Sequence, residues 1–556
     1  MKRAISILSA GIMLGAASLI FSPSGNASDK TGAKPVTFTK DVAPIFYKHC
    51  TECHRPNELA PMSLLTYKEA RPWAKSIKEK VVTQQMPPWH ADSHYGQFAN
   101  DRRLTRQEIE TVAAWVDSGA NEGNPRDLPP APSFADGWKI GKPDVVLSMQ
   151  DEYTLEANGP DEYINFTMPT SFKEDVWIRA AEIHPGNKRV VHHVIAFIQT
   201  PQFQAQWKTT QGRPSAQSIF YQDGTLIRTK LDAPAYDNGC DAPNGGFARG
   251  SGQEGLGLPL CFYTPGKDLD IFPSGTAKSI PAGSNIILQV HYSKTTGKVE
   301  KDRSSVGLFF AKAPPDRMLT SFGVINHYFK IPPGDDNHEV TGCYTFSRNV
   351  ELFTFLPHMH VRGKDMKYEA VYPDGKRETL IFVPNYNFNW QTLYKLEKPL
   401  RIPKGTRLIV TAHFDNSERN KYNPDPSKTV RFGDPTYDEM MIGYFDYVTD
   451  QPVRNAIKVD PKLYDLYAGE YALGPATFTI SHEGDKLMFT APGQPKIEAF
   501  PETETRFFFK IFDAQVTFSR NEKGDVTGLT FEINGRTMKA VRMNKAASRA
   551  SSPSNH

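Results

Sequence analysis

Cysteine is scarce in this chain, five residues in 556, which excludes a small scaffold stapled by disulfides. Charge of one sign is missing too. The 65 Lys and Arg face 62 Asp and Glu for a net +3, which leaves no field to gather a nucleic acid or other polyanion. Beyond residue 21 no run is apolar enough to span a bilayer. What is present is an ordinary globular composition, long enough for roughly three to five domains. Function must therefore be read from local clusters of reactive side chains.

The first 27 residues have the order of a secretory signal peptide: Lys2 and Arg3, an apolar run over 4–21, then Gly25-Asn26-Ala27 with cleavage expected after Ala27. The run is short and broken by glycines, which argues against an uncleaved anchor. A periplasmic or secreted protein is expected, with no membrane span. Cys240 and Cys261 bracket a Gly-rich loop and are the expected disulfide in such a compartment. Cys343, in an expected strand over 340–346, is then left as a buried thiol.

Residues 35–127 form the first expected domain. Cys50-Thr51-Glu52-Cys53-His54 has the spacing for two thioether links to a haem, with the histidine beneath the iron. A redox dithiol is the rival reading, but no βαβ pattern surrounds it. Met86, on the rigid Met86-Pro87-Pro88 turn, is the first candidate for the sixth ligand, with His90 and His94 as rivals and Met62 a remote one. A helix expected over 105–118, with Ile109, Val112, Ala113 and Val116 on one face, closes the unit. The segment resembles the cytochrome c family, which implies one covalently bound haem c. A Pro-rich linker follows over 128–142.

From 143 to 448 short strands alternate with turn residues, the pattern of antiparallel β-sandwiches. Within 352–361, a two-residue period places Phe353, Phe355, Met359 and Val361 on one side and Leu356, His358 and His360 on the other. Two imidazoles spaced about 7 Å along a strand can reach one metal ion. Adjacent His192 and His193 point to opposite faces of a regular strand, so sharing a metal requires a bulge, a twist or different ring nitrogens. In 286–292, Ile286, Leu288, Val290 and Tyr292 make an apolar face and leave Gln289 and His291 opposite. A fourth segment carries Asp438-Glu439-Met440-Met441, with Tyr444 on the face of Met440.

This order of His-His, Gln-x-His, His-x-His and Asp-Glu-Met resembles the copper type II, ascorbate-dependent monooxygenases that hydroxylate peptidylglycine or dopamine. The resemblance implies two jelly-roll-like β domains, 143–300 and 301–448, and two copper ions. One would be held by His192, His193 and His291, the other by His358, His360 and Met440, with Tyr444 lining the substrate pocket. It also implies electron relay from the all-histidine copper across a solvent-filled cleft to the copper that meets O2. Peptide-hydroxylating members carry an Arg two residues before the His-x-His pair, where this chain has Leu356. An apolar residue cannot make the bidentate ion pair with a carboxylate, which speaks against a peptidylglycine substrate. The insertion over 201–281 has no counterpart. His413 is either an additional group at the metal or structural; His184, His327 and His338 read as hydrogen-bonded or solvated.

Residues 457–543 change to short alternating strands and resemble the small lipocalin-like β domain appended to some β-lactamase-related hydrolases; 544–556 reads as a disordered tail. The expected whole is a multidomain, mainly β protein: a small α-helical domain, two antiparallel sandwiches and a small β-barrel-like domain. The expected activity is copper-dependent monooxygenation of a small-molecule substrate with O2, electrons entering through the haem from ascorbate or a periplasmic donor. The alternative is a periplasmic haem/copper electron-transfer or copper-binding protein without hydroxylase activity.

Overall fold

The computed structural model describes residues 35–543 except 57, 59, 136, 202, 205–219, 223–224, 228–236, 241–255, 268, 434, 455, 475, 492–495, 511–513 and 534–535. The signal-peptide and tail expectations, and much of the 201–281 insertion, lie outside the described residues. The fold is mainly β, with most of its few short helices near the N-terminus and a closed eight-stranded barrel at the C-terminus. Among the described residues no helix is long and apolar enough to cross a membrane.

In the first unit, a π-helical turn Phe38–Val42 leads into helix Ala43–His49, and helix Arg106–Asp117 packs across them. That last helix starts where a capping box fixes it. Thr105 Oγ1 accepts from Glu108 N–H at 3.2 Å and the Glu108 carboxylate accepts from Thr105 N–H at 2.7 Å. Its inward face is Val112 and Trp115, with Trp115 in ring contact with Phe38 and Phe46. The Pro-rich connection is docked: Trp138 stacks on His184 at 3.8 Å, and the Lys139 and Ile140 N–H groups donate to the buried Glu182 carboxylate.

The first sandwich has a four-stranded sheet ordered Glu162–Pro169, Asn285–Tyr292, Val191–Gln199, Leu258–Tyr263 and a six-stranded partner sheet. That partner sheet includes Ser305–Phe310, paired on both sides, so it extends past residue 300. Ile286, Leu288, Val290 and Tyr292 all enter this sandwich's core, as their alternation predicts. On the opposite face Ile195, Phe197 and Ile287 join the core of the second sandwich. The four-stranded sheet is therefore covered on both faces, and one of them is an interface between the two sandwiches.

The second sandwich pairs Thr320–Ile325, Ile442–Thr449, Val350–His358 and Tyr394–Ile402 in one sheet and His338–Thr345, Arg407–Phe414, Gly363–Val371 and Arg377–Val383 in the other. Here a simple alternation fails. The register slips between Leu352 and Thr354 against both neighbouring strands, so Phe353 is a bulged residue. Phe353 packs into the first sandwich's core while Phe355 packs into the second's. The strand also ends at His358, leaving His360 beyond it.

The cysteine expectation is corrected. Cys240 is bonded to Cys343 with Cα atoms 5.1 Å apart, and Cys261 is a buried free thiol whose burial pushes its pKa up. The parallel bridge Asn238–Thr341 lays residue 240 beside the His338–Thr345 strand, whereas Cys261 points into the first sandwich's core. Proximity along the chain gave the wrong partner.

Candidate metal and haem sites

The bulge needed at the His-His pair is present. His291 pairs with His193 while the next residue, Tyr292, pairs with Val191, so His192 is the extra residue. It swings to the side of His193. The three Nδ1 atoms of His192, His193 and His291 then lie 3.2, 3.2 and 3.3 Å from one another. A point equidistant from them is about 1.9 Å from each (3.2/√3), close to the roughly 2.0 Å of an imidazole–metal bond. Protons alone cannot satisfy three converging ring nitrogens; a cation can.

The back of this triad is built to aim it. Asp161 Oδ2 accepts from His291 Nε2–H at 3.0 Å, which fixes the proton there and leaves Nδ1 as a lone pair. Tyr163, opposite His291 in the ladder, stacks on its ring at 4.3 Å. Burial, reinforced by the neighbouring imidazoles, pushes His192 down to about 3 and His193 well below the usual histidine range, so both are neutral donors at neutral pH.

The second set forms where the Val350–His358 strand ends. His358 Nδ1–H donates to Gln391 Oε1 at 2.8 Å and His360 Nδ1–H to the Asp438 carbonyl at 3.1 Å, leaving both Nε2 atoms as lone pairs. His360 Nε2 is buried with no hydrogen-bond partner among the described residues. Glu439 links the backbone at Met440 to that at His360. Its carboxylate accepts from the backbone N–H groups of His360 (2.8 Å), Met440 (3.3 Å) and Arg362 (2.6 Å), so Met440 and His360 leave the same anchor. Burial nevertheless pushes its pKa up to about 8. Met440 and Tyr444 are buried, and the Tyr444 ring lies 6.2 Å from His358 and 5.5 Å from Phe262.

The two sets adjoin. The rings of His193 and His358 are 6.0 Å apart, and the Phe388 ring sits 4.9 Å from His192, 5.9 Å from His291 and 6.0 Å from His360. An aromatic side chain from the 384–393 connection thus lies against members of both sets. His413 is held between Asp365 and Glu339 in its own sheet, and His184, His327 and His338 likewise lie in local contacts.

At Cys50-Thr51-Glu52-Cys53-His54 the chain makes a single turn, with Cys53 and His54 N–H both donating to Cys50 O. His54 Nδ1–H donates to Met62 O at 3.2 Å, which leaves Nε2 for an iron. Burial pushes Cys50 up to about 12, the reverse of an activated redox dithiol. These residues fit a covalent haem. Met86 precedes a cis proline and is half-buried; His94 is exposed beside Asp92, and His90 faces the second sandwich.

Asp161, Tyr163, Gln391 and Phe388 carried no motif in the sequence. Asp161 is 130 residues from His291, and Gln391 is 33 from His358.

Comparison with known proteins places family matches on three segments: cytochrome c over 40–120, the copper type II ascorbate-dependent monooxygenase C-terminal domain over 318–462, and a domain of unknown function over 453–544. Penicillin-binding protein 4* of Bacillus subtilis (strain 168) is 33% identical over 98 residues, 17% of this chain and 22% of that protein. The chain thus spans about a fifth of that relative's length. Among solved structures, SurE with D-Leu is 16% identical (26% of this chain, 32% of that one, TM-score 0.15). The major capsid protein P2 of Bacteriophage PM2 is 7% identical (55% and 97%, TM-score 0.22). Similarity at those scores carries no argument. One chain thus carries a match to the cytochrome c family over residues 40–120 and a match to the copper type II ascorbate-dependent monooxygenase C-terminal domain over residues 318–462.

Proposed function

We propose that this is an exported copper-dependent monooxygenase that hydroxylates a C–H bond of a small substrate, with electrons entering through the covalent haem. The observation that carries the reading is the convergence of three Nδ1 atoms within 3.3 Å, beside a second set with a buried, unpartnered His360 Nε2. His192, His193 and His291 would hold one copper, His358, His360 and Met440 the other, and Cys50, Cys53, His54 and Met86 the haem. Bound there, copper and haem would supply one-electron redox chemistry and O2 activation, the thioether favouring the reduced metal. The balance is one C–H bond, O2, two electrons and two protons giving C–OH and water.

The chain's own residues set the conditions. Asp161 and Gln391 hold imidazole protons away from the ligating nitrogens, and Glu439 fixes the backbone at His360 and Met440. Leu356, opposite Tyr444 in the ladder and buried with it, gives an apolar wall that favours an apolar or aromatic substrate over a carboxylate. The Cys240–Cys343 disulfide supports an oxidising compartment.

Metal analysis of the processed protein is expected to return two coppers and one haem. In copper-loaded protein, prereduced haem should reoxidise when O2 and substrate are both present; persistent reduced haem would sink the donor role. The insertion of Phe388 between the ligand sets favours a second reading, an electron-transfer or copper-binding protein without hydroxylation. Oxygen consumption by the copper-loaded, reductant-supplied protein separates the two.

A further inference from the structure

The edge of the second sandwich near its ligand set is covered by the haem-bearing unit. Asp92 N–H donates to Phe382 O at 2.8 Å, Ala99 N–H to Lys395 O at 2.8 Å, and Glu397 N–H to Gln97 O at 2.9 Å. The Asn100 side chain donates to Leu393 O (2.7 Å) and accepts from Lys395 N–H (2.9 Å). Trp89, buried in the second sandwich's core, meets Tyr394 edge-on at 5.0 Å. These contacts grip the chain at Phe382 on one side and at 393–397 on the other of the 384–393 connection.

That connection lies outside the sheet ladders, yet it carries Gln391 to His358 and Phe388 to His192. His90 packs behind it beside Pro357, Tyr386, Trp390 and Tyr394. We propose that residues 87–101 position His358 through Gln391, making the haem-bearing unit a structural member of the second metal site and not only a donor tethered beside it. The proposal rests on His358 being a copper ligand. His358 offers Nε2 only while its proton stays on Nδ1, and Gln391 holds it there only while the 384–393 connection is fixed. Residues 87–101, as a strap over the second sandwich, supply that fixing.

The test uses full-length, haem-loaded protein titrated with copper against a competing chelator, with the Cu(II) EPR spectrum recorded. Gln391→Leu should weaken one copper by about 10–100-fold and alter its hyperfine pattern. Trp89→Leu should perturb the same copper and spare the other and the haem absorption, with no further loss in the double variant. Trp89→Phe should restore the wild-type spectrum. If Trp89→Leu leaves both copper signals unchanged while Gln391→Leu alters one, the strap does not position the site. Should Trp89→Leu not fold, Asn100→Ala is read in its place with the same two outcomes. If His358→Ala retains both coppers, the ligand assignment beneath the proposal fails instead.

Discussion

At the scale of single residues, the groups that aim an imidazole matter almost as much as the imidazole. Asp161→Ala removes the acceptor on His291 Nε2 and is expected to weaken one copper by about 10–100-fold, read by competitive titration, with the haem spectrum unchanged. His338, which is not among the proposed ligands, offers a pH test. Burial lowers its pKa, but Asp237 and Asp335 outweigh burial and the net shift is upward. Its stabilisation is therefore fully present below the unfolded value of about 6.5 and fades as pH rises through the higher folded value. His338→Gln should flatten the dependence of Tm on pH in that window; an unchanged slope would remove His338 as its source. Cys343→Ala cuts a crosslink that joins residues 103 apart and should cost roughly 2–5 kcal/mol in urea unfolding, provided the thiol is oxidised in the parent.

At the scale of elements, two bulges decide what alternation alone cannot. One bulge, at His192, puts adjacent histidines on one side; the other, at Phe353, hands that ring to the neighbouring core. A run of apolar residues is the same string whether or not one of them is extruded from the ladder, so the sequence requires the first bulge only if a metal is assumed and gives no hint of the second. The helix start at Thr105 is different, because a capping box is a local device written in four residues. Thr105→Ala should lower the stability of the haem-bearing unit by about 1 kcal/mol and Thr105→Ser should restore it, measured by loss of the haem Soret signal in denaturant.

At the scale of the whole molecule, the haem-bearing unit touches both sandwiches in different ways. Toward the first and the connection docked on it, it uses Lys188 with Glu58 at 2.8 Å and Lys139 with Glu52 at 3.2 Å, partly exposed pairs worth little each. Toward the second it uses backbone bonds and the buried Trp89. Solution scattering from the full chain should accordingly keep the same radius of gyration from about 0.05 to 1 M salt, although the Debye length falls several-fold. Expansion with salt would show that charge, not packing, holds the units together.

The proposed ligands can be named from the sequence because a ligand is a residue type, and the order His192-His193, His291, His358-x-His360, Met440 is kept whatever the fold does. The strand faces over 286–292 and the capped helix after Thr105 were legible because their causes are local. The partner of Cys240, the placement of Phe388 against His192, the hydrogen bonds of Asp161 and Gln391, and the contacts of 87–101 with the second sandwich all depend on segments tens to hundreds of residues apart meeting in space. No short-range pattern encodes such meetings; they follow from which faces remain apolar after each sandwich has closed its own core, and that is settled only when the chain is folded.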